Sequence, residues 1–170
     1  FKLYTKTKSS KNICHGHQDD GSFCLFYNNY PIIIDLGTFN YNTSDKKCAV
    51  QTFAKSHNTL NINGIGLTPS KYSLIGSSIP SSLVKYIKLN TGFRLSMEGF
   101  QSTGKKIFWD RDFIINNNDL VVKDKIELLN YKNTVINYHF DKNIILEEYD
   151  DYWIGSINNL KFIIKFNLYC

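Results

Sequence analysis

Short hydrophobic runs alternate with polar clusters along almost the whole chain. The runs are rich in Ile, Val, Phe, Tyr and Leu, and Asn, Asp, Gly, Ser and Lys separate them. This pattern is typical of an all-β protein, because β-branched and aromatic residues favour strands and the polar clusters favour turns. We therefore predict an antiparallel two-sheet β-sandwich with very little helix. Its strands are predicted at residues 1–7, 21–27, 31–36, 59–62, 79–90, 93–99, 105–114, 120–129, 134–139, 144–149, 153–157 and 160–166.

The residues between the runs support this division. Residues 27–31 read Tyr-Asn-Asn-Tyr-Pro and predict a tight hairpin, and residues 61–64 end a strand in Asn and Gly, which tolerate positive φ. Residues 116–119 form another polar turn between two apolar runs. Residues 64–80 lack a strand pattern, so we expect a loop at one end of the sheet.

Length and composition bound the fold further. The chain has 170 residues and no Pro-rich or Ser-rich linker, so a single domain over residues 1–170 is predicted. A hydrophobic content of 42% excludes a disordered composition, and no apolar run approaches the roughly 18 residues of a membrane-spanning helix. Residues 1–11 are basic without an apolar core and a small-residue cleavage site, so no signal peptide is predicted and the localisation stays unknown.

Charge and cysteine usage narrow the partner classes. The formal net charge of +5 suits an acidic partner, either a polysaccharide or a nucleic acid. Arg94 and Arg111 are the only arginines, which argues against nucleic acid because arginine dominates base and phosphate recognition. The cysteines are too sparse for a disulfide scaffold and contain no C-x-x-C pair, so free thiols are predicted at Cys14, Cys24, Cys48 and Cys170.

Candidate chemistry lies in three histidines and one aspartate of the first third of the chain. His15 and His17 are two positions apart, so an extended backbone projects both to the same side. Asp35 follows an apolar run, where a buried carboxylate needs a metal, a positive partner or hydrogen-bond donors beside it. His57 lies on the polar face of the next predicted strand. Imidazole and carboxylate are ligand types that zinc selects, so one metal site could use these residues.

Each of these features also has a simpler interpretation. The His15 and His17 pair could lie on an exposed edge, Asp35 could close a turn, and His57 could begin a solvated strand. Composition and periodicity leave this choice open. His139 lies in a simple alternating strand, and we predict a residue of the sheet face rather than a fourth ligand. Trp109 could stack on a sugar ring or, as is more usual in a small sandwich, belong to the core.

Four blocks of the sequence occur in order and at consistent spacing. They are His15-Gly16-His17-Gln18-Asp19, Ser22-Phe23-Cys24-Leu25, residues 30–41 around Asp35-Leu36-Gly37-Thr38, and residues 56–64 around His57-Asn58-Thr59. This series resembles the C-terminal domain of the heparinase II/III-like polysaccharide lyases, whose blocks read roughly HGHAD, SF-x-L, D-x-G-T-Y and H-N-T. Residues 111–115, which begin with Arg111, and residues 120–124, which end with Asp124, match the family pattern more weakly. Departures from the pattern, which remove no candidate ligand, include Gln18, Phe39 and Asn63.

The resemblance implies a role for each candidate residue. It implies a zinc ion bound by His17, Asp35 and His57, with a fourth position left for water. It implies that His15 points into a substrate cleft and takes part in catalysis. The implied reaction is β-elimination on an acidic, uronic-acid-containing polysaccharide, in which the carboxylate is neutralised, the C5 proton is removed and the departing oxygen is protonated. A periplasmic or secreted location follows from the same resemblance.

The resemblance also implies a partner domain. In the intact enzymes an α-helical toroid precedes the sandwich and supplies an acid/base tyrosine, and this sequence shows no comparable helical pattern. We therefore expect the sandwich half of such a lyase, which binds zinc but does not cleave alone. Two alternatives remain open. One is a non-catalytic carbohydrate-binding or interaction module. The other is a cupin-type metalloenzyme, although the cupin pattern needs a glutamate after its His-x-His pair and Asp19 fits that requirement poorly.

Overall fold

The computed structural model describes residues 1–6, 17–37, 53–67, 83–100, 106–127 and 133–165. Strands dominate these ranges, and each predicted strand overlaps one that is observed, so the all-β prediction is confirmed. A single 3-10 turn, Ala54–Ser56, lies among the described residues. The strands are β1 Lys2–Thr5, β2 Phe23–Tyr27, β3 Tyr30–Ile33, β4 Leu60–Ile62, β5 Leu83–Leu89, β6 Gly92–Phe100, β7 Lys106–Asn116, β8 Asp119–Glu127, β9 Thr134–Ile136, β10 Ile145–Glu148, β11 Trp153–Ile157 and β12 Leu160–Ile164.

All strand pairs are antiparallel, and most join strands that are neighbours in sequence. β5, β6, β7 and β8 form a four-stranded meander, while β1-β2-β3 and β10-β11-β12 form three-stranded sheets. β4 pairs with the distant β9. The segment after β9 also joins β3, through an Ile33–Phe140 bridge and a hydrogen bond from the Ile34 N–H to the His139 carbonyl. The end of β3 and the start of β4 therefore lie on either side of one chain segment.

The side chains at the odd-numbered positions of β7 face the core. Trp109 and Phe113 are buried there, and the Phe113 ring contacts Phe23 of β2 edge to face at 5.2 Å between centroids. Burial of such large aromatic side chains supplies much of the apolar stabilisation of a small domain. Trp109 thus belongs to the core, as expected. The other buried hydrophobic side chains are Ile32, Ile33, Ala54, Leu60, Ile62, Leu67, Leu95, Met97, Ile107 and Ile157.

Asparagine supplies the tight turns that the sequence predicted. Asn28 and Asn29 have φ of 48° and 65°, the positive values that a two-residue hairpin turn requires at both positions. Asn117 between β7 and β8, and Asn63 after β4, also have positive φ. The predicted loop at residues 64–80 lies mostly outside the described residues.

Two further predictions concern the membrane and the thiols. In the part of the chain that the structure describes, no helix has the length and apolar character needed to cross a bilayer. Cys24 on β2 carries a free thiol, as predicted. The other three cysteines fall outside the described residues.

Candidate functional site

Asp35 and His57 form a hydrogen-bonded pair between the end of β3 and the segment that precedes β4. Nδ1 of His57 lies 2.8 Å from Oδ1 and 3.0 Å from Oδ2 of Asp35. The imidazole is only 1% exposed, whereas the carboxylate is 23% exposed. The sequence predicted that Asp35 needs a partner, and the structure identifies this partner as a histidine 22 positions away.

Further donors hold the Asp35 carboxylate in its charged form. The Ser22 hydroxyl donates to Oδ2 at 2.6 Å, and the Gly37 N–H donates to Oδ1 at 2.9 Å. Burial by itself raises the pKa of Asp35. The interaction with His57 and the hydrogen bonds from Ser22 and Gly37 outweigh this effect and lower the pKa to about 2. The carboxylate is therefore ionised at neutral pH, which is the form that binds metal.

His17 lies beside this pair. Its ring centroid is 5.2 Å from that of His57, with an angle of 41° between the planes. Burial lowers the pKa of His17, and the neighbouring His57 lowers it further, so the neutral form that binds metal is favoured. The structure thus brings His17, Asp35 and His57 into one cluster. His15, the fourth predicted residue, lies outside the described residues.

The donor set suits zinc in its chemistry. Two imidazoles and one carboxylate are ligands that zinc prefers, and Nδ1 of His57 faces both oxygens of Asp35. As the described side chains stand, however, no group of three or more His, Cys, Asp and Glu residues is placed to hold a metal ion.

A cleft of about 200 Å³ opens beside Asp35. Tyr4 of β1, Lys6 directly after that strand, and Cys24 of β2, which pairs with Tyr4, are among the residues that line it. Lys6 forms an ion pair with Asp19, which also lines the cleft. A ligand in this cleft would therefore contact an aromatic ring, an ion pair and the edge of the Asp35 carboxylate.

Asn58 connects several segments around the site, and sequence reasoning did not predict this role. Its side chain is fully buried, and its Nδ2 donates to the carbonyls of Phe23 and Ile34, each at 2.8 Å. Its Oδ1 accepts the N–H of His139 at 2.6 Å. These bonds join β2, the end of β3 and the segment after β9 at the residue that follows His57. The backbone of His57 is therefore held in place relative to Asp35.

Arg111 is a second such residue, and it is completely buried. Its Nε and Nη2 bind the two carboxylate oxygens of Asp124 at 2.7 and 3.1 Å. Its Nη1 donates to the carbonyls of Gly21 at 2.9 Å and Asn58 at 2.7 Å. An arginine at a core-facing position of an alternating strand is a sequence signal that could have identified this role.

Gln18, next to His17, connects this part of the chain to the segments before and after β4. Its Oε1 accepts two backbone N–H groups, those of Ala54 and Gly66, each at 3.1 Å. In the sequence this residue stood out only as a departure from the HGHAD pattern. The structure gives it a role. The side chain is fully buried, and its amide oxygen supplies the acceptor that these two backbone N–H groups need.

The chain matches a known protein family. The family model described as Heparinase II/III-like, C-terminal, matches residues 3–160. This range contains His15, His17, Asp35 and His57 as well as the buried Arg111. A comparison with curated proteins gave no match.

Proposed function

Because the chain belongs to the heparinase II/III-like C-terminal domain family, we propose that it is the zinc-binding sandwich domain of a polysaccharide lyase. Its substrate would be an acidic polysaccharide that contains uronic acid, cleaved by β-elimination. The observation that carries the proposal is the contact of the buried His57 with the ionised Asp35, with the His17 ring beside them.

In this proposal His17, Asp35 and His57 have a structural role and His15 has a catalytic one. His17, Asp35 and His57 would hold zinc, which when bound supplies a cross-link between the chain at His17, the end of β3 and the segment before β4. His15 precedes His17 by two residues, so fixing His17 would also restrict the backbone at His15. His15 would neutralise the uronate carboxylate or accept the C5 proton.

The remaining proton transfer is assigned to a partner domain. The leaving glycosidic oxygen at C4 must be protonated, and an acid/base tyrosine of a helical toroid domain would do so. None of the tyrosines of this chain is assigned to that step. The proposed partners are thus an acidic polysaccharide and a helical toroid domain.

Metal analysis tests the zinc part of the proposal. We expect one zinc per chain after purification, and we expect the His17→Ala variant to lose it. His139→Ala is a matched control, because His139 is also half-buried and its backbone N–H, not its ring, donates to the Asn58 side chain. A folded wild-type domain that takes up no zinc would refute the site.

Eliminative cleavage tests the catalytic part. Ultraviolet absorbance from the unsaturated uronate should appear when the helical toroid domain is present, and His15→Ala in that protein should abolish it. Full activity of the His15→Ala protein on its substrate would contradict the assigned role. If the wild-type protein binds acidic glycans with both domains present but never cleaves them, the alternative of a non-catalytic binding module is supported instead.

A further inference from the structure

The Ser22 hydroxyl connects the two principal residues of the cluster. Ser22 is 4% exposed, and its Oγ lies 2.6 Å from Oδ2 of Asp35 and 3.0 Å from the backbone nitrogen of Asn58. The Asn58 N–H can only donate, so Oγ accepts that bond. The single hydroxyl proton is then left for Asp35. Chemistry alone therefore sets the direction of both hydrogen bonds.

This pair of bonds makes the orientation of Asp35 depend on the backbone next to His57. Asn58 is itself held by its side-chain bonds to β2 and β3 and by Arg111 at its carbonyl. Ser22 extends this rigid frame to one carboxylate oxygen, while Gly37 holds the other. With both oxygens engaged, rotation of the carboxylate away from His57 would break at least one hydrogen bond.

We propose that Ser22 is a positioning residue of the metal site, whose hydroxyl orients Asp35 relative to His57. The inference rests on the zinc site of the proposed function. It assigns no contact between Ser22 and the metal or the substrate, because the hydroxyl is engaged by Asp35 and Asn58. Residues that hydrogen-bond a metal ligand commonly change metal affinity by about 10–100-fold when they are removed.

Zinc affinity of Ser22→Ala tests this inference. Competition with a chromophoric chelator should show a zinc dissociation constant about 10–100-fold higher than that of the wild type. Ser22→Thr keeps the hydroxyl and should recover most of the affinity. The cobalt-substituted Ser22→Ala domain should also show altered visible absorption bands, since these report on the geometry of the ligands.

Thr59→Val provides the matched control. Thr59 is as deeply buried as Ser22, but its hydroxyl donates to the backbone carbonyl of Asp20 at 2.5 Å rather than to a proposed ligand. Valine has nearly the same shape, so this variant loses a buried hydroxyl hydrogen bond in the same region. We expect lower thermal stability with unchanged zinc affinity and an unchanged cobalt spectrum.

The outcomes separate the inference from the proposed function. If the wild type binds zinc and Ser22→Ala binds it equally well, the positioning role is wrong and the zinc site stands. An equal loss of affinity in Ser22→Ala and Thr59→Val would also overturn the role, because the effect would then be general destabilisation. So would a Ser22→Ala domain that fails to fold even with zinc, since the hydroxyl would be needed by the fold itself. A wild type without zinc refutes the proposed site and the inference together.

Discussion

The two arginines of the chain form a natural pair for testing how burial decides the value of an ion pair. Arg111 binds both oxygens of Asp124 and is completely buried, whereas Arg94 binds both oxygens of Asp112 at 2.6 and 2.9 Å with 37% of its side chain exposed. Both pairs lie on the same four-stranded sheet. Replacing each arginine by methionine therefore removes the same kind of bidentate contact from two different environments.

The structure predicts very different costs for the two substitutions. Arg111→Met leaves the Asp124 carboxylate, which is 10% exposed, without its counterion, and breaking a buried pair in this way costs about 3–5 kcal/mol. Trp109 and Tyr138 still donate to Asp124, which reduces the cost, but the carbonyls of Gly21 and Asn58 lose their donor, which increases it. We therefore estimate about 4 kcal/mol. The Asp112 carboxylate is 15% exposed, but the Arg94 side chain that covers it is 37% exposed, so water can take the place of the guanidinium. Pairs that water can reach are worth only about 0–1 kcal/mol, so Arg94→Met should cost at most ~1 kcal/mol.

Urea unfolding of the metal-free domain measures both effects. With a slope of about 2 kcal/mol per molar urea, the midpoint should fall by about 2 M for Arg111→Met and by less than ~0.5 M for Arg94→Met. The double variant Arg111→Met/Asp124→Leu should be more stable than Arg111→Met alone, because it removes the uncompensated charge. The reasoning is refuted if the two single variants lose similar stability, or if removing Asp124 as well gives no recovery.

Two further predictions concern buried polar groups. Gln18→Ala leaves the buried N–H groups of Ala54 and Gly66 without this acceptor and should cost about 2–4 kcal/mol of stability. Gln18→Glu keeps an acceptor oxygen but introduces a buried charge. Thermal unfolding measures both variants, and a loss of under ~1 kcal/mol in Gln18→Ala contradicts the role. Burial, together with Asp124, raises the pKa of Tyr138 to about 12, so the folded state favours the neutral phenol. The free energy of unfolding should therefore fall by about 2–3 kcal/mol as the pH rises from about 10 to about 12. Tyr138→Phe should lack this part of the alkaline stability loss in urea titrations at pH 9 and pH 11, and equal pH dependence in both proteins would argue against it.

The local pattern was sufficient to predict the strands, and the reason is geometric. Side chains alternate across a strand, so a half-buried strand records its two faces directly in the sequence, and asparagine marks turns through its own tolerance of positive φ. The need of Asp35 for a partner was likewise a local prediction, because the cost of burying a carboxylate does not depend on which residue offsets it. The choice of His57 as that partner came from the pairing of distant strands.

The hydrogen bonds of the buried Asn58 and Arg111 could not be predicted in this way. Arg111 donates to the carbonyl of Asn58, 53 positions earlier, and Asn58 accepts the N–H of His139, 81 positions later. Backbone carbonyls and N–H groups are chemically the same at every position, so nothing in the sequence marks which of them these side chains will meet. Alternation could have placed Arg111 in the core, but not identified its contacts.

The sequence by itself determined the all-β fold class and the strand positions, and the resemblance of its motifs indicated the family and proposed the candidate residues His15, His17, Asp35 and His57. Side-chain type and short-range spacing are properties of the sequence and do not depend on which distant segments come into contact. Only the tertiary structure decided that Asp35 is held by His57, Ser22 and Gly37, and that Asn58 and Arg111 hold the frame around it. The physical reason is that a hydrogen bond forms only at short distance and suitable angle, and these are set by the packing of the strands.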